Sequence, residues 1–169
     1  MLALAPLGFA LAIGAGTLLL ALPGLQRQPA PWIDSLFTAT SAVCVTGLTV
    51  YDIGSTLSPV GLIVLALLIQ LGGLGIITLL GMLALWRGGP LSPGERVAFG
   101  TLVGGLQLAA ARRFVGSVAK VVLGVELAGA LLLWLLWRGD QPQAMLQAGF
   151  HAVSAFCNAG FSPFADSLA

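Results

Sequence analysis

The chain has 169 residues, of which 58% are hydrophobic and 8% charged, and its mean hydropathy is +1.02. An ordinary soluble domain carries about 25% charged residues, so this sequence lacks the charge to cover a water-facing surface and suits the bilayer instead. A net charge of +1 leaves no basic surface of the kind a nucleic-acid partner needs.

Three stretches meet the roughly 20 apolar residues that a membrane span requires. The first runs from Leu2 to about Leu25 without a charge. It is longer than the apolar core of a signal peptide, and no A-x-A cleavage site follows it. Trp32 to Val43 comes next, apolar but too short to cross. The second span runs from about Pro59 to Trp86, long enough to cross with tilt. Ser92-Pro93-Gly94-Glu95-Arg96 reads as a turn into a surface helix, or as a plain connector. The third span, from about Phe114 to Trp137, contains Lys120 and Glu126. Pro142 to Cys157 is again apolar and short. Trp86, Trp134 and Trp137 fall near span ends, where amphipathic rings favour the interface.

Each short segment is followed by an irregular, Gly-containing stretch. Non-helical backbone at membrane depth is tolerated only inside protein or along a watery cavity. The pair therefore reads as re-entrant pore loops, with surface helices as the alternative. Basic residues mark the cytoplasmic side. Arg87, Arg96, Arg112 and Arg113 against Glu95 place the middle linker and the N-terminus there. Both short segments then face outside.

The sequence also repeats itself at an offset of 113 residues. Phe37-Thr38-Ala39-Thr40-Ser41-Ala42-Val43-Cys44-Val45-Thr46-Gly47-Leu48 overlays Phe150-His151-Ala152-Val153-Ser154-Ala155-Phe156-Cys157-Asn158-Ala159-Gly160-Phe161, with six of twelve positions identical. The same offset lays Leu2–Pro23 over Val115–Leu136, a span over a span. The expected architecture is all-α: tandem parallel repeats of transmembrane helix, pore helix with filter loop, and transmembrane helix. The first unit covers 1–86, a cytoplasmic linker 87–113, and a second unit without its outgoing span 114–169.

Such a unit suits a monovalent cation. Potassium-type filters replace the hydration shell with backbone carbonyls, and glycine adopts the dihedrals that aim them without a Cβ clash. Val45, Thr46, Gly47 and Leu48 would line one quadrant, and Asn158, Ala159, Gly160 and Phe161 another. A helix C-terminus adds about −0.5 elementary charge, and inward-running short helices would aim it at the ion. Asp34 suits the start of the first such helix; the second copy has Gln147 there.

At these positions the sequence resembles the Trk/Ktr/HKT superfamily of potassium transporters. The resemblance rests on Thr38 to Leu48, on Gln70-Leu71-Gly72-Gly73-Leu74-Gly75-Ile76, and on Ser154 to Phe161, and with the repeat it covers nearly the whole chain. It implies four span–loop–span units around one pore, with Gly47 and Gly160 as two of four filter glycines. It also implies a bacterial inner-membrane location, dimeric assembly and a nucleotide-binding cytosolic regulatory ring. Two loops rather than four make the chain look like the N-terminal half of such a protein. Its partners would be lipid and either the remaining half or a second copy.

Several residues admit two readings. Gly72, Gly73 and Gly75 suit close helix packing or a pliable point facing the pore. Glu126 near mid-span costs about 2.5–3.5 kcal/mol to insert, so it needs a partner, either in a structural hydrogen bond or near the ion path. Lys120 is expected to snorkel to the cytoplasmic interface, and Arg112 and Arg113 to set topology. His151 reads as a packed pore-helix residue before a ligand or proton relay. Cys44 and Cys157 read as small buried apolar residues. No catalytic set, phosphate loop or zinc spacing occurs, so no enzyme and no covalently bound cofactor is expected. Potassium enters as the transported ion. Sodium- or proton-linked transport and a non-conducting truncated scaffold are the competing functions.

Overall fold

A computed structural model of the chain describes residues 4–75, 108–138 and 143–164. The regular structure there is helical, apart from one isolated bridge between Gln26 and Leu57. Helix α1 spans Leu4–Leu20, and a short 3-10 turn follows at Pro23–Leu25. Helix α2 spans Trp32–Val43, α3 Ile53–Thr56 and α4 Pro59–Gly73. Helix α5 spans Leu108–Trp137 and α6 Ala144–Phe156.

Among the described residues, one helix is long and apolar enough to cross a membrane. It is the Gly116–Trp137 stretch of α5, 22 residues, which at 1.5 Å per residue spans about 33 Å against a hydrocarbon core of about 30 Å. Pro6–Leu20 and Pro59–Gly73 are shorter apolar helices. Both sequence-predicted short segments form helices, the first over the expected residues.

Two boundaries differ from the sequence expectation. The span expected from Pro59 to Trp86 stops being α-helical at Gly73. Leu74 caps it, and Gly75 adopts φ +73° while its N–H donates to the Gly72 carbonyl at 3.0 Å. A left-handed glycine just past the cap is a common helix stop, and Gly72 and Gly73 lower the helix propensity before it. Ile76 to Trp86 lie outside the described residues, as do Arg87, Arg96 and the Ser92–Arg96 turn. Helix α5 begins at Leu108, upstream of the expected start of the span at 114, so Arg112 and Arg113 are already helical.

The connections between α1, α2 and α4 are tied by polar groups. Gln26 Nε2 donates to the Leu20 carbonyl at the end of α1 at 2.8 Å and to Ser35 Oγ on α2 at 3.3 Å. Its Oε1 accepts from the Ala30 N–H at 3.1 Å. Ser58 caps α4 by accepting from the Gly61 N–H at 3.2 Å, and its hydroxyl donates to the Gly24 carbonyl at 3.2 Å. Asp52 caps α3 through the Gly54 and Ser55 N–H groups.

Helix α4 packs on α1, α2 and α6, and α5 packs on α6. Leu62, Leu65, Leu68 and Ile69 form the buried stripe of α4, while Ile63 and Leu67 face outward. Lipid is as apolar as leucine, so helices associate here by close fit, and small residues allow it. A Cβ on Gly16 of α1 would lie 2.8 Å from the Leu68 methyls and 3.4 Å from the Ala39 Cβ. The exposed leucines and valines of α1 and α5, such as Leu11, Leu18, Val121, Leu132 and Leu136, present apolar surface outward.

Candidate functional site: two glycine loops behind short helices

The loops after α2 and α6 fold alike in their main-chain hydrogen bonds. After α2, the Cys44 N–H donates to the Thr40 carbonyl, Val45 to Ala42 and Thr46 to Ser41, at 2.9, 3.2 and 2.9 Å. After α6, Cys157 donates to Val153, Asn158 to Ala155 and Ala159 to Ser154, at 3.0, 3.0 and 2.7 Å. Each set closes its helix with a left-handed residue one position past the cap, which satisfies carbonyls that the helix end would otherwise orphan.

The dihedrals match as well. Val45 has φ 56° and Asn158 φ 53°; Gly47 has φ 72° and Gly160 φ 73°. Thr46 and Ala159, between them, are not among the positive-φ residues. Positive φ at alternate residues turns successive peptide units so that their carbonyls lie toward one side rather than alternating as in a strand. Asn and Gly accept the left-handed region readily, but Val is β-branched and is strained there.

The sequence reading identified the glycines but not the left-handed residue two positions earlier. It also missed Ser41 and Ser154, a matched pair that holds both loops from the helices. Thr46 Oγ1 donates to Ser41 Oγ at 2.9 Å, and Ser154 Oγ donates to the Phe161 carbonyl at 2.7 Å. Their identity across the repeat was the available signal. Phe161 is buried and Leu48 exposed.

The two loops meet at their glycines. A Cβ on Gly47 would run into the Ala159 carbonyl oxygen and lie 3.1 Å from the Gly160 Cα. A Cβ on Gly160 would lie 3.5 Å from the Gly47 Cα. Beyond them, Gly54 of α3 lies against the Pro163 carbonyl.

Residues with two sequence readings now have locations. Gly72 abuts the Val43 carbonyl at the end of α2, and Gly73 abuts Cys157 at the end of α6, so both allow α4 to approach closely. A Cβ on Gly75 would meet nothing within 4 Å. Glu126 is buried and accepts from Gln70 Nε2 at 2.8 Å. His151 packs among Trp137 and Phe164, with ring centroids 5.5 and 5.7 Å away, and its buried Nδ1 makes no hydrogen bond. Cys157 is half-buried, but Cys44 is exposed; the buried packing expected of both cysteines fails at Cys44, whereas Cys157, at the same place in a matching turn, is covered by Gly73 and Gln70 of α4. Lys120 is exposed. Trp134 stacks under the Arg138 guanidinium, 5.9 Å from the ring centroid, as an aromatic near a span end can. Among the described residues no group of His, Cys, Asp and Glu has the spacing to hold a metal through side chains.

Residues 10–169 match TrkH, described as a cation transport protein. The chain belongs to the TrkH cation transport family. This is a family of membrane transporters rather than of enzymes. Within the family, the chain is 37% identical to the Ktr system potassium uptake protein B of Bacillus subtilis, over 96% of this chain and 37% of that protein. It is 38% identical to the Ktr system potassium uptake protein B of Vibrio alginolyticus, over 89% of this chain and 33% of that one. It is 32% identical to the potassium/sodium uptake protein NtpJ of Enterococcus hirae, over 95% and 37%. The chain thus spans about a third of the length of these family members, less than the half expected from counting loops.

Proposed function

We propose that this chain contributes to potassium uptake across a bacterial plasma membrane, supplying two of four backbone-carbonyl loops around one pore. The observation that carries the reading is the pair of loops at 45–48 and 158–161. They share hydrogen bonds and alternating φ, and they touch at Gly47 and Gly160. Two like loops meeting at glycines make an arc of carbonyls without acidic side chains, which suits a dehydrated monovalent cation. Helices α2 and α6 end beside the loops, so their negative ends add to the attraction. Val45, Thr46 and Gly47, and Asn158, Ala159 and Gly160, form the ion-facing arcs. Leu48 and Phe161 form their outer ends, and the Phe161 carbonyl is engaged by Ser154.

Related proposals follow. The two units, 1–86 and 114–169, are parallel repeats with the loops facing outside and the 87–113 region cytoplasmic, as the arginines favour. The ring is completed by further chain or by a second copy. A nucleotide-binding cytosolic subunit is the regulatory partner implied by kinship with Ktr systems. A potassium/sodium specificity is the second reading, favoured by the similarity to the Enterococcus potassium/sodium uptake protein.

Growth of a host lacking potassium uptake, on limiting potassium, tests this with the chain alone and with any longer protein that contains it. Rescue by the longer protein is expected; failure of both to take up potassium rules the proposal out. In a rescuing protein, Gly47→Ser should lower the preference for potassium over sodium at least tenfold, because the new Cβ meets both an unfavourable φ and the Ala159 carbonyl. Unchanged preference would remove Gly47 from the filter.

A further inference from the structure

The two loops match in backbone but not in what stands behind them. Behind the second loop, three side chains from three helices form a chain of hydrogen bonds. Glu126 of α5 accepts from Gln70 Nε2 of α4 at 2.8 Å, and Gln70 Oε1 accepts from Cys157 Sγ at the end of α6, 3.6 Å away. The order is chemically determined. With Glu126 ionised, its carboxylate only accepts, so the amide presents its NH2 to Glu126, which leaves its oxygen for the thiol. Gly73 lies against Cys157 and brings α4 near enough for Gln70 to reach. Cys157 immediately precedes Asn158, the left-handed residue that starts the second loop. At the 113-residue offset, Ile13 stands where Glu126 stands, so the first copy has no such acid behind its loop.

We propose that Glu126, through Gln70, is a positioning residue for the second loop, and that this one-sided brace sets how strictly the loop discriminates between cations. The inference rests on the transport reading above. In the size-match account a filter discriminates by how firmly its carbonyls keep their spacing, and a hydrogen bond to an ionised partner is shorter and stronger than a neutral one. An acid in this span is costly, and Gln70 offsets that cost while fixing where α6 ends.

The test uses the full transporter in membranes, with two readouts. The first is the alkylation rate of Cys157 by a membrane-permeant maleimide, followed on the Cys157 peptide by mass spectrometry. The second is the potassium-over-sodium preference of uptake. Glu126→Leu should raise Cys157 labelling and lower the preference, each by roughly tenfold, as loss of one charge-assisted hydrogen bond predicts. Glu126→Gln, which keeps an acceptor oxygen but not the charge, should fall between wild type and Glu126→Leu, about threefold from wild type, as a neutral hydrogen bond in place of a charge-assisted one predicts. Gln70→Glu should be impaired, and Gln70→Glu with Glu126→Gln should recover, since the pair is then restored in reverse. If Glu126→Leu does not assemble, the Gln70→Glu single and double variants decide. Wild-type labelling and preference in Glu126→Leu, or no recovery in the double variant, would overturn the brace. A wild-type protein that moves no potassium overturns the transport reading instead, and the labelling comparison still decides the positioning role.

Discussion

Val45 and Asn158 occupy the same left-handed position in the two loops, yet only one is suited to it. For an L-residue this region costs about 1–2 kcal/mol, and asparagine tolerates it best after glycine. Val45→Asn should therefore stabilise the protein by about 1 kcal/mol, read as a rise in the detergent-solubilised melting temperature. Asn158→Val should lower it by a similar amount. A fall on Val45→Asn would mean that the valine side chain, which lies near Gly72, is worth more in packing than its dihedral costs. Tyr51, just past the first loop, is a second residue-scale case. Burial pushes its phenol above the ordinary value of 10.0, the Thr38 hydroxyl draws it partly back, and the Asp34 charge pushes it up. The two buried hydroxyls form no well-directed hydrogen bond, so burial governs. A raised folded value means the native state holds this proton more tightly than the unfolded chain does. The associated stability is intact below pH 10 and is lost as pH climbs through the folded value. Thermal melts from pH 9 to 11 should show that loss in wild type and less of it in Tyr51→Phe.

At the scale of elements, α1, α2 and α4 hold together through small residues rather than through the hydrophobic effect, since lipid competes equally for apolar surface. Gly16 is the tightest such point between α1 and α4. Gly16→Leu should cost about 1–3 kcal/mol by overpacking against Leu68, whereas the same change at Gly14, where a Cβ would meet nothing within 4 Å, should cost far less. Comparing the two melting temperatures checks this, and equal effects would contradict the packing account. Helix identity was legible because apolar runs and their lengths are local properties. The end of α4 was less so. Gln70 to Gly75 reads as apolar chain, and composition does not reveal that Gly75 turns left-handed. Close packing at Gly72 and Gly73 was one of the two sequence readings, but their partners, Val43 and Cys157, lie at the ends of other helices and were hidden.

For the whole molecule, the copies meet at two levels, Gly47 with Gly160 and Gly54 with Pro163. Gly54→Val should push the copies apart. On the transport function proposed above, uptake should fall more than membrane abundance does, as assays of transport and of protein amount in parallel would reveal. Parallel losses would mean that the contact serves folding alone. The sequence by itself determined the solvent, the helices, the 113-residue repeat and the paired glycines, because composition, run length and spacing are properties of a linear chain. It also carried the motifs by which the family is recognised. Only the tertiary structure decided that the glycine loops touch, that Ser41 and Ser154 hold them, that Cys44 is exposed, and that Glu126 finds its partner in Gln70, 56 positions away. Those facts depend on which faces of distant helices come together, and a stripe of leucines does not encode its partner. The opposed φ signs around Thr46 and Ala159 belong to the same class. Glycine permits them, but the helix-end hydrogen bonds and the neighbouring loop impose them.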